Sequence, residues 1–362
     1  MPVGPHRHAL TYALAAIAGL IFWRLGTPLP WMIGPIVAVA IATLTGMRTA
    51  VWTAGRNTGM VVVGTALGLY FTPEAVNKIV SYLPLIAIAT GSTVLIGVAA
   101  SAVLTKAARI DRATAFFCSV PGGVAEMSIL GERFGASPVP IAVAQLLRIV
   151  FLVFTLPSVM MAAGVTGDIF TAESKLPFDI SGLAVLLGVS AAVTLALVRL
   201  RARNAWLLGP LGVGILVSIS GYELSSVPIS LTSAAQILIG THLGSAFRRN
   251  EMFALRRVLP AIAGNIFILA FGCAVLGSLI ALVSGEPLAT LILATAPGGV
   301  TEMCLTAKTL KLDVALIVAF HVLRIFVVLL ATPWVFLAMR NFGLIAESSL
   351  MTDAETTPTT TD

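Results

Sequence analysis

One heptapeptide, varied at a single position, occurs twice in this chain: PGGVAEM from Pro121 to Met127 and PGGVTEM from Pro297 to Met303, both inside apolar stretches. Proline followed by two glycines breaks a helix, because proline lacks an amide donor and glycine loses the most freedom on ordering. A carboxylate follows each break, so each copy sets a charge beside irregular backbone. A second shared block comes after each: LLRIVFLVFTLP from Leu146 to Pro157 is echoed by VLRIFVVLLATP from Val322 to Pro333, at the same offset of 176 residues. LPWMIGP (Leu29 to Pro35) against AWLLGP (Ala205 to Pro210), and VGTALGLYF (Val63 to Phe71) against IGTHLGSAF (Ile239 to Phe247), extend the match. Four matched blocks in one order are an internal duplication.

The surroundings of these breaks decide the fold class. The chain is 58 % hydrophobic and 10 % charged, with a mean hydropathy of +1.00, whereas soluble domains carry about 25 % charged residues. It reads as an all-α integral membrane protein. At roughly 20 residues per spanning helix, 362 residues hold about ten to twelve segments with short loops. No polar stretch is long enough for a soluble domain, and the net charge of +6 is scattered in short loops. That pattern is orientation by positive charge rather than a nucleic-acid surface. Cys118, Cys273 and Cys304 sit in apolar surroundings without metal spacing and read as small buried hydrophobes. With no phosphate-binding loop, hydrolase triad or ligand cluster, no catalytic residue, metal or cofactor is expected, and the chain is not read as an enzyme.

The first repeat, 1–164, has apolar segments near Ala9 to Trp23, Pro30 to Gly46, Thr58 to Phe71, Tyr82 to Thr105, Ala113 to Gly131 and Pro138 to Gly164. The basic start and the first of these segments resemble a signal peptide, but without a convincing cleavage site they read as an uncleaved span. A polar connector, 165–179, leads to the second repeat, 180–345, and a Thr-rich acidic tail over 346–362 is expected to be disordered. Basic residues follow the second and fourth segments of the first repeat (Arg48, Arg56; Lys106, Arg109, Arg112). In the second repeat they follow the first and third (Arg199, Arg201, Arg203; Arg248, Arg249, Arg256, Arg257). If the broken fifth segment is re-entrant, each repeat crosses five times and the second is inverted. Fifteen Lys and Arg then share one face against five on the other. The expected architecture is two inverted repeats, each of about five transmembrane helices plus one Pro-Gly-Gly-broken re-entrant segment, with both termini cytoplasmic. Irregular backbone at membrane depth needs protein or a water-filled cavity around it.

Candidate substrate- or ion-binding residues cluster at the breaks: Pro121, Gly122, Gly123 and Glu126 in one copy, Pro297, Gly298, Gly299 and Glu302 in the other. The helix that restarts after each break has first-turn amides without helical partners, an end suited to an anion. Glu126 and Glu302 either bind a cation or proton, or simply satisfy that helix end. Arg148 and Arg324 lie within long apolar helices, where an unpaired charge costs at least about 2.5 kcal/mol. Each needs a partner, with Glu126 and Glu302 the natural candidates within a repeat or across repeats. Gln145 and His321 precede the arginines by three residues and share their helix face. His321 either relays protons near neutral pH or is a buried histidine satisfied by a neighbour.

On the twin PGGVxEM motifs, the shared LRI blocks and the GTxLG segments, the chain resembles the bacterial AbrB membrane family, over nearly its whole length except the tail. Members carry regulator or ammonia monooxygenase labels; the small soluble DNA-binding regulator of the same name is unrelated in sequence. At superfamily level the family is similar to cation/proton antiporters and bile-acid-type symporters, built from inverted repeats with interrupted helices. The Gly-Gly re-entrant loops of glutamate and hydroxycarboxylate symporters are an architectural likeness, without this arrangement of Pro and Glu. The resemblance implies a multi-pass protein of the bacterial inner membrane. The expected function is a secondary transporter of a small solute or ion, proton- or cation-coupled, working by alternating access. A membrane sensor that affects gene expression indirectly is the alternative, and an ammonia monooxygenase a remote one, given four scattered histidines. The expected partners are the solute or ion and the lipid bilayer, with no direct nucleic acid; assembly as a homo-oligomer is left open.

Overall fold

The computed structural model describes residues 5–167, 177–222 and 224–342, and all regular structure among them is α-helical. The first half runs α1 (Pro5–Arg24), α2 (Pro30–Leu44), α3 (Thr53–Gly68), α4 (Pro73–Ala108), α5 (Arg112–Ser119), α6 (Val124–Arg133) and α7 (Pro138–Ala162). The second runs α8 (Ile180–Arg199), α9 (Ala205–Ile219), α10 (Ile229–Ser245), a short α11 (Arg249–Ala254), α12 (Leu259–Ser284), α13 (Leu288–Thr295), α14 (Val300–Thr309) and α15 (Val314–Asn341). Five of them, α4, α7, α8, α12 and α15, are 20 to 36 residues long and apolar enough to cross a membrane. The fold is that of an all-α membrane protein. Helices α2 and α9 are apolar but only 15 residues long, or about 22 Å at 1.5 Å per residue.

The duplication is written in the backbone as well as the sequence. Left-handed residues recur at the repeat spacing: Leu29 and Asn204 open α2 and α9, Arg109 and Gly285 close α4 and α12, and Gly135 and Lys311 follow α6 and α14. The fifth segment of each half is two half-helices rather than one, as its Pro-Gly-Gly requires. Short α11 has no counterpart among the expected segments. Most of the connector expected over 165–179, and all of the tail over 346–362, lie outside the described residues. Asp179, at the connector's end, caps α8 by accepting from the Ser181 hydroxyl at 2.5 Å and the Gly182 amide at 2.6 Å. These bonds, the Ser181 hydroxyl first, hold its carboxyl below the ordinary carboxylate range.

The helices sort into two bundles, each drawing the same elements from both halves. Helices α1, α2 and α3 pack with α8, α9 and α10, while α4 to α7 pack with α12 to α15; between the two sets only α3 with α14 and α15, and α7 with short α11, meet more than marginally. Small residues set the first bundle. A Cβ on Gly64 would meet the Leu207 carbonyl oxygen at 3.0 Å, and one on Gly240 the Met32 carbonyl oxygen at 2.6 Å. One turn on, Gly68 faces Leu211 and Gly214, and Gly244 faces Ile36 and Val39. Thus α3 runs beside α9 in one direction, α10 beside α2 likewise, and each repeat grips the other through equivalent glycines. In the second bundle Phe116, Phe117, Phe134 and Phe336 interlock, with ring centroids 4.8 to 6.0 Å apart. Such aromatic contacts add about 0.5–1.5 kcal/mol each beyond area burial. Lys78 of α4 bridges Glu286 at 2.8 Å and Asp313 at 3.0 Å, fastening the start of α4 to the start of α15.

Candidate functional site

Helices α5 and α6 form a hairpin. The Thr114 hydroxyl, at the start of α5, accepts from the Ser137 amide just beyond α6 at 2.9 Å, and the Phe117 ring stacks on Phe134 at 6.0 Å. Chain that enters beside Arg112 therefore leaves beside Gly135, with Pro121, Gly122 and Gly123 at the tip. Helices α13 and α14 repeat the arrangement around Pro297, Gly298 and Gly299.

The spacing inside the heptapeptide has a steric cause. A Cβ on Gly122 would fall 2.5 Å from the Met127 side chain, and one on Gly298 would fall 2.8 Å from that of Met303. On Gly123 and Gly299 it would overlap an Oε2 of Glu126 and Glu302 respectively. The two glycines of each motif thus vacate the space that its own Glu and Met occupy. Gly123 and Gly299 are the N-caps of α6 and α14, so each carboxylate folds back over the positive end of its helix. That end attracts negative charge by about 0.3–1 kcal/mol at an exposed site.

The arginines answer to carbonyls. Arg148 donates from Nη2 to the Gly122 carbonyl at 3.1 Å. Arg324 donates from Nη1 to the Ala296 carbonyl and from Nη2 to the Gly298 carbonyl. Gln145 donates from Nε2 to the carbonyls of Phe117 at 2.8 Å and Val120 at 2.9 Å, and His321 Nε2 lies 3.1 Å from the Leu293 carbonyl. The expected pairing of arginine with glutamate is corrected: neither Arg148 nor Arg324 forms an ion pair with Glu126 or Glu302, and both donate to backbone carbonyls instead. A broken helix exposes carbonyls that themselves need donors, and at the tips the arginines meet that need.

Both tips face one cavity of about 770 Å³ between the bundles, within the roughly 300–1,000 Å³ of small-molecule sites. Pro121, Gly122, Gly123, Glu126 and Arg148 line it from the first half, and Gly298, Gly299, Glu302 and Arg324 from the second. Gln145, His321 and Pro297 are not on its wall; Gln145 and His321 hold the hairpins from behind. Glu126 is half-buried, whereas Glu302 is 8 % exposed. The opposite wall contributes Arg56, Met60, Arg201, Trp206 and His242. Four arginines against two glutamates give the cavity a cationic balance.

Sequence reasoning missed this opposite wall. In the sequence Arg56 and Arg201 read as loop charges that orient the chain, whereas Arg56 lies within α3. The signal for Trp206 was its match to Trp31 in a repeated block. His242 takes the place of Ala66 in the second GTxLG block. Asn265 of α12 accepts from the Ser119 hydroxyl at 3.3 Å and so ties α5 to α12.

Comparison with known proteins gives two relatives along most of the chain. A Bacillus subtilis (strain 168) protein named "Uncharacterized protein YhjN" is 24 % identical, over 89 % of this chain and 90 % of its own length. An Escherichia coli (strain K12) protein named "Putative regulator AbrB" is 26 % identical, over 88 % of this chain and 92 % of its own length. The sequence model of the family described as "Transition state regulatory protein AbrB" matches residues 31–340, which contain both hairpins and nearly all of the two bundles apart from α1, and this chain belongs to that family.

Proposed function

We propose that the protein is a secondary transporter that moves a small solute or ion by alternating access, with its site where the two hairpin tips meet. One observation carries the reading: equivalent tips from the two halves, each with its own glutamate and arginine, line a single cavity between two weakly joined bundles. Transporters built from repeats use broken helices in this way, and relative movement of two bundles exposes the site to each side in turn. Glu126 and Glu302 are the coupling groups for a proton or cation. The reading includes no enzymatic step.

The inverted arrangement belongs to the same proposal. Parallel α2 and α10, and parallel α3 and α9, support it: for a chain that crosses in α2 and returns in α3, each of these helices then runs opposite to its own repeat counterpart. The α5–α6 and α13–α14 hairpins are then re-entrant from opposite faces. The cavity wall includes exposed Arg201 and Ala202, on the face that gathers fifteen basic residues. We read this as an inward-open conformation, in the bacterial inner membrane with cytoplasmic termini. A reporter fused after Arg340 should lie in the cytoplasm; an external reporter would overturn the orientation.

The transport test uses proteoliposomes with entrapped pH indicator, challenged with a panel of organic acids, amines and inorganic ions under imposed proton or sodium gradients. Protein-dependent flux is expected, and Glu126→Gln with Glu302→Gln should uncouple it from the gradient. Absence of protein-dependent flux across the panel would sink the transport reading, and unchanged coupling in the double variant would remove the role of the glutamates. The word regulator in a relative's name favours a second, indirect reading as a sensor. A transcript change that survives a transport-dead substitution would favour that reading over transport.

A further inference from the structure

The two arginines occupy equivalent positions but are not equivalent in their bonds. Arg324 spends Nη1 and Nη2 on the carbonyls of Ala296 and Gly298. Arg148 spends Nη2 alone, on Gly122, and its Nε and Nη1 are buried without a partner. The cause lies three residues upstream. Gln145 has an amide nitrogen with two hydrogens and takes the carbonyls of both Phe117 and Val120. His321 reaches only Leu293, the counterpart of Phe117, and leaves Ala296, the counterpart of Val120, to Arg324. One residue difference between the repeats therefore gives Arg324 a second carbonyl and leaves Arg148 with two buried nitrogens unspent.

An arginine 2 % exposed with two idle nitrogens is costly, since a buried charge needs compensation. Arg148 sits on the wall of the cationic cavity, and the tip in front of it is the accessible one, with Gly123 and Ala125 exposed. The N-termini of α6 and α14 are covered by Glu126 and Glu302, so the donors left for an anion are the idle Nε and Nη1 of Arg148, which are buried here and must turn toward the cavity to meet it. Met60, Leu146, Ile149, Trp206 and Leu207 supply apolar wall around it. We propose that Arg148 is the anchoring residue for the carboxylate of an organic anion whose apolar body fills this cavity, and that Gln145 is the positioning residue that keeps Arg148 available. Guanidinium and carboxylate match in shape as well as charge, and Arg56 and Arg201 draw the anion inward.

The inference rests on the same cavity as the transport reading, so it is tested at equilibrium, apart from flux. Full-length protein in detergent is titrated with benzoate and octanoate at constant ionic strength, with benzamide as a neutral isostere and chloride as a bare anion, by calorimetry and thermal shift. Saturable binding of at least one carboxylate is expected, with no comparable response to benzamide or chloride. Gln145→His retains the arginine but should return it to the Val120 carbonyl and weaken carboxylate binding about tenfold or more, equivalent to about 1.4 kcal/mol. Arg148→Lys, which keeps the charge but not the planar fork, is the second variant should Gln145→His fold poorly, and should also weaken binding. No saturable carboxylate binding, equal binding of benzamide, or carboxylate affinity unchanged in both weakening variants overturns the proposal. Carboxylate binding without flux would leave the anion site standing and fell the transport reading; flux without carboxylate binding would do the reverse.

Discussion

The two hairpin tips share the sequence PGGVxEM and the same backbone course, yet they live in different surroundings. At the α5–α6 tip, Gly123 and Ala125 are exposed and Glu126 is half-buried; at the α13–α14 tip, Pro297, Gly298 and every residue from Val300 to Ala307 are buried. The heptapeptide thus fixes an internal geometry, glycines making room for Glu and Met, without fixing solvent access. Access depends on where the bundle of α1–α3 and α8–α10 lies against each tip. Under the alternating-access proposal, one opened tip and one closed tip are the expected picture of a protein on one side of its cycle.

The sharpest contrast is between the arginines. Arg324→Ala removes two charge-assisted hydrogen bonds, each worth about 1.5–3 kcal/mol, and strands two buried carbonyls. The expected loss is about 3–6 kcal/mol, read as a large fall in the thermal midpoint of the purified protein. Arg148→Ala removes one such bond together with a poorly compensated charge, so its cost should stay under about 2 kcal/mol. Equal losses would mean that the two guanidiniums are bonded alike and would erase the asymmetry. Next in size are the N-cap glycines. Gly299→Ala drives a methyl into the Glu302 carboxylate at a buried tip and should cost about 1–3 kcal/mol. Gly123→Ala meets Glu126 where the side chain can swing into the cavity, and should cost less. A reversed order would show that the α5–α6 tip is the more confined of the two.

Sequence alone carried the helices and their break points well, because hydropathy and Pro-Gly-Gly are local signals. The segment expected over Pro138 to Gly164 is α7, Pro138–Ala162, and the expected break falls between Ser119 and Val124. It carried the partners of Arg148 and Arg324 badly. Counting charges suggests an opposite charge for each arginine, whereas the acceptors are carbonyls released by the break, and every residue has a carbonyl. The sorting into two bundles was also hidden, because it rests on glycines such as Gly64 and Gly240 whose partners lie across the duplication. The difference between Gln145 and His321 was visible as a polar substitution. Its consequence for the neighbouring arginine needed the positions of the Val120 and Ala296 carbonyls.

The mildest perturbation tests the opened tip directly. Ala125 is exposed and its counterpart Thr301 is 4 % exposed, so single cysteines at these positions report access with little effect on the fold. Ala125→Cys should change stability by no more than about 0.5 kcal/mol. The native Cys118, Cys273 and Cys304 are buried and should contribute little background. A membrane-impermeant maleimide applied to purified protein should label Ala125→Cys rapidly and Thr301→Cys slowly. Under the alternating-access proposal, conditions that favour the opposite state should slow the first and quicken the second, since opening one tip closes the other. Equal labelling at both positions would show that the tips differ only in degree of packing. Labelling that changed at one position alone would point to local loosening of a hairpin instead of movement between bundles.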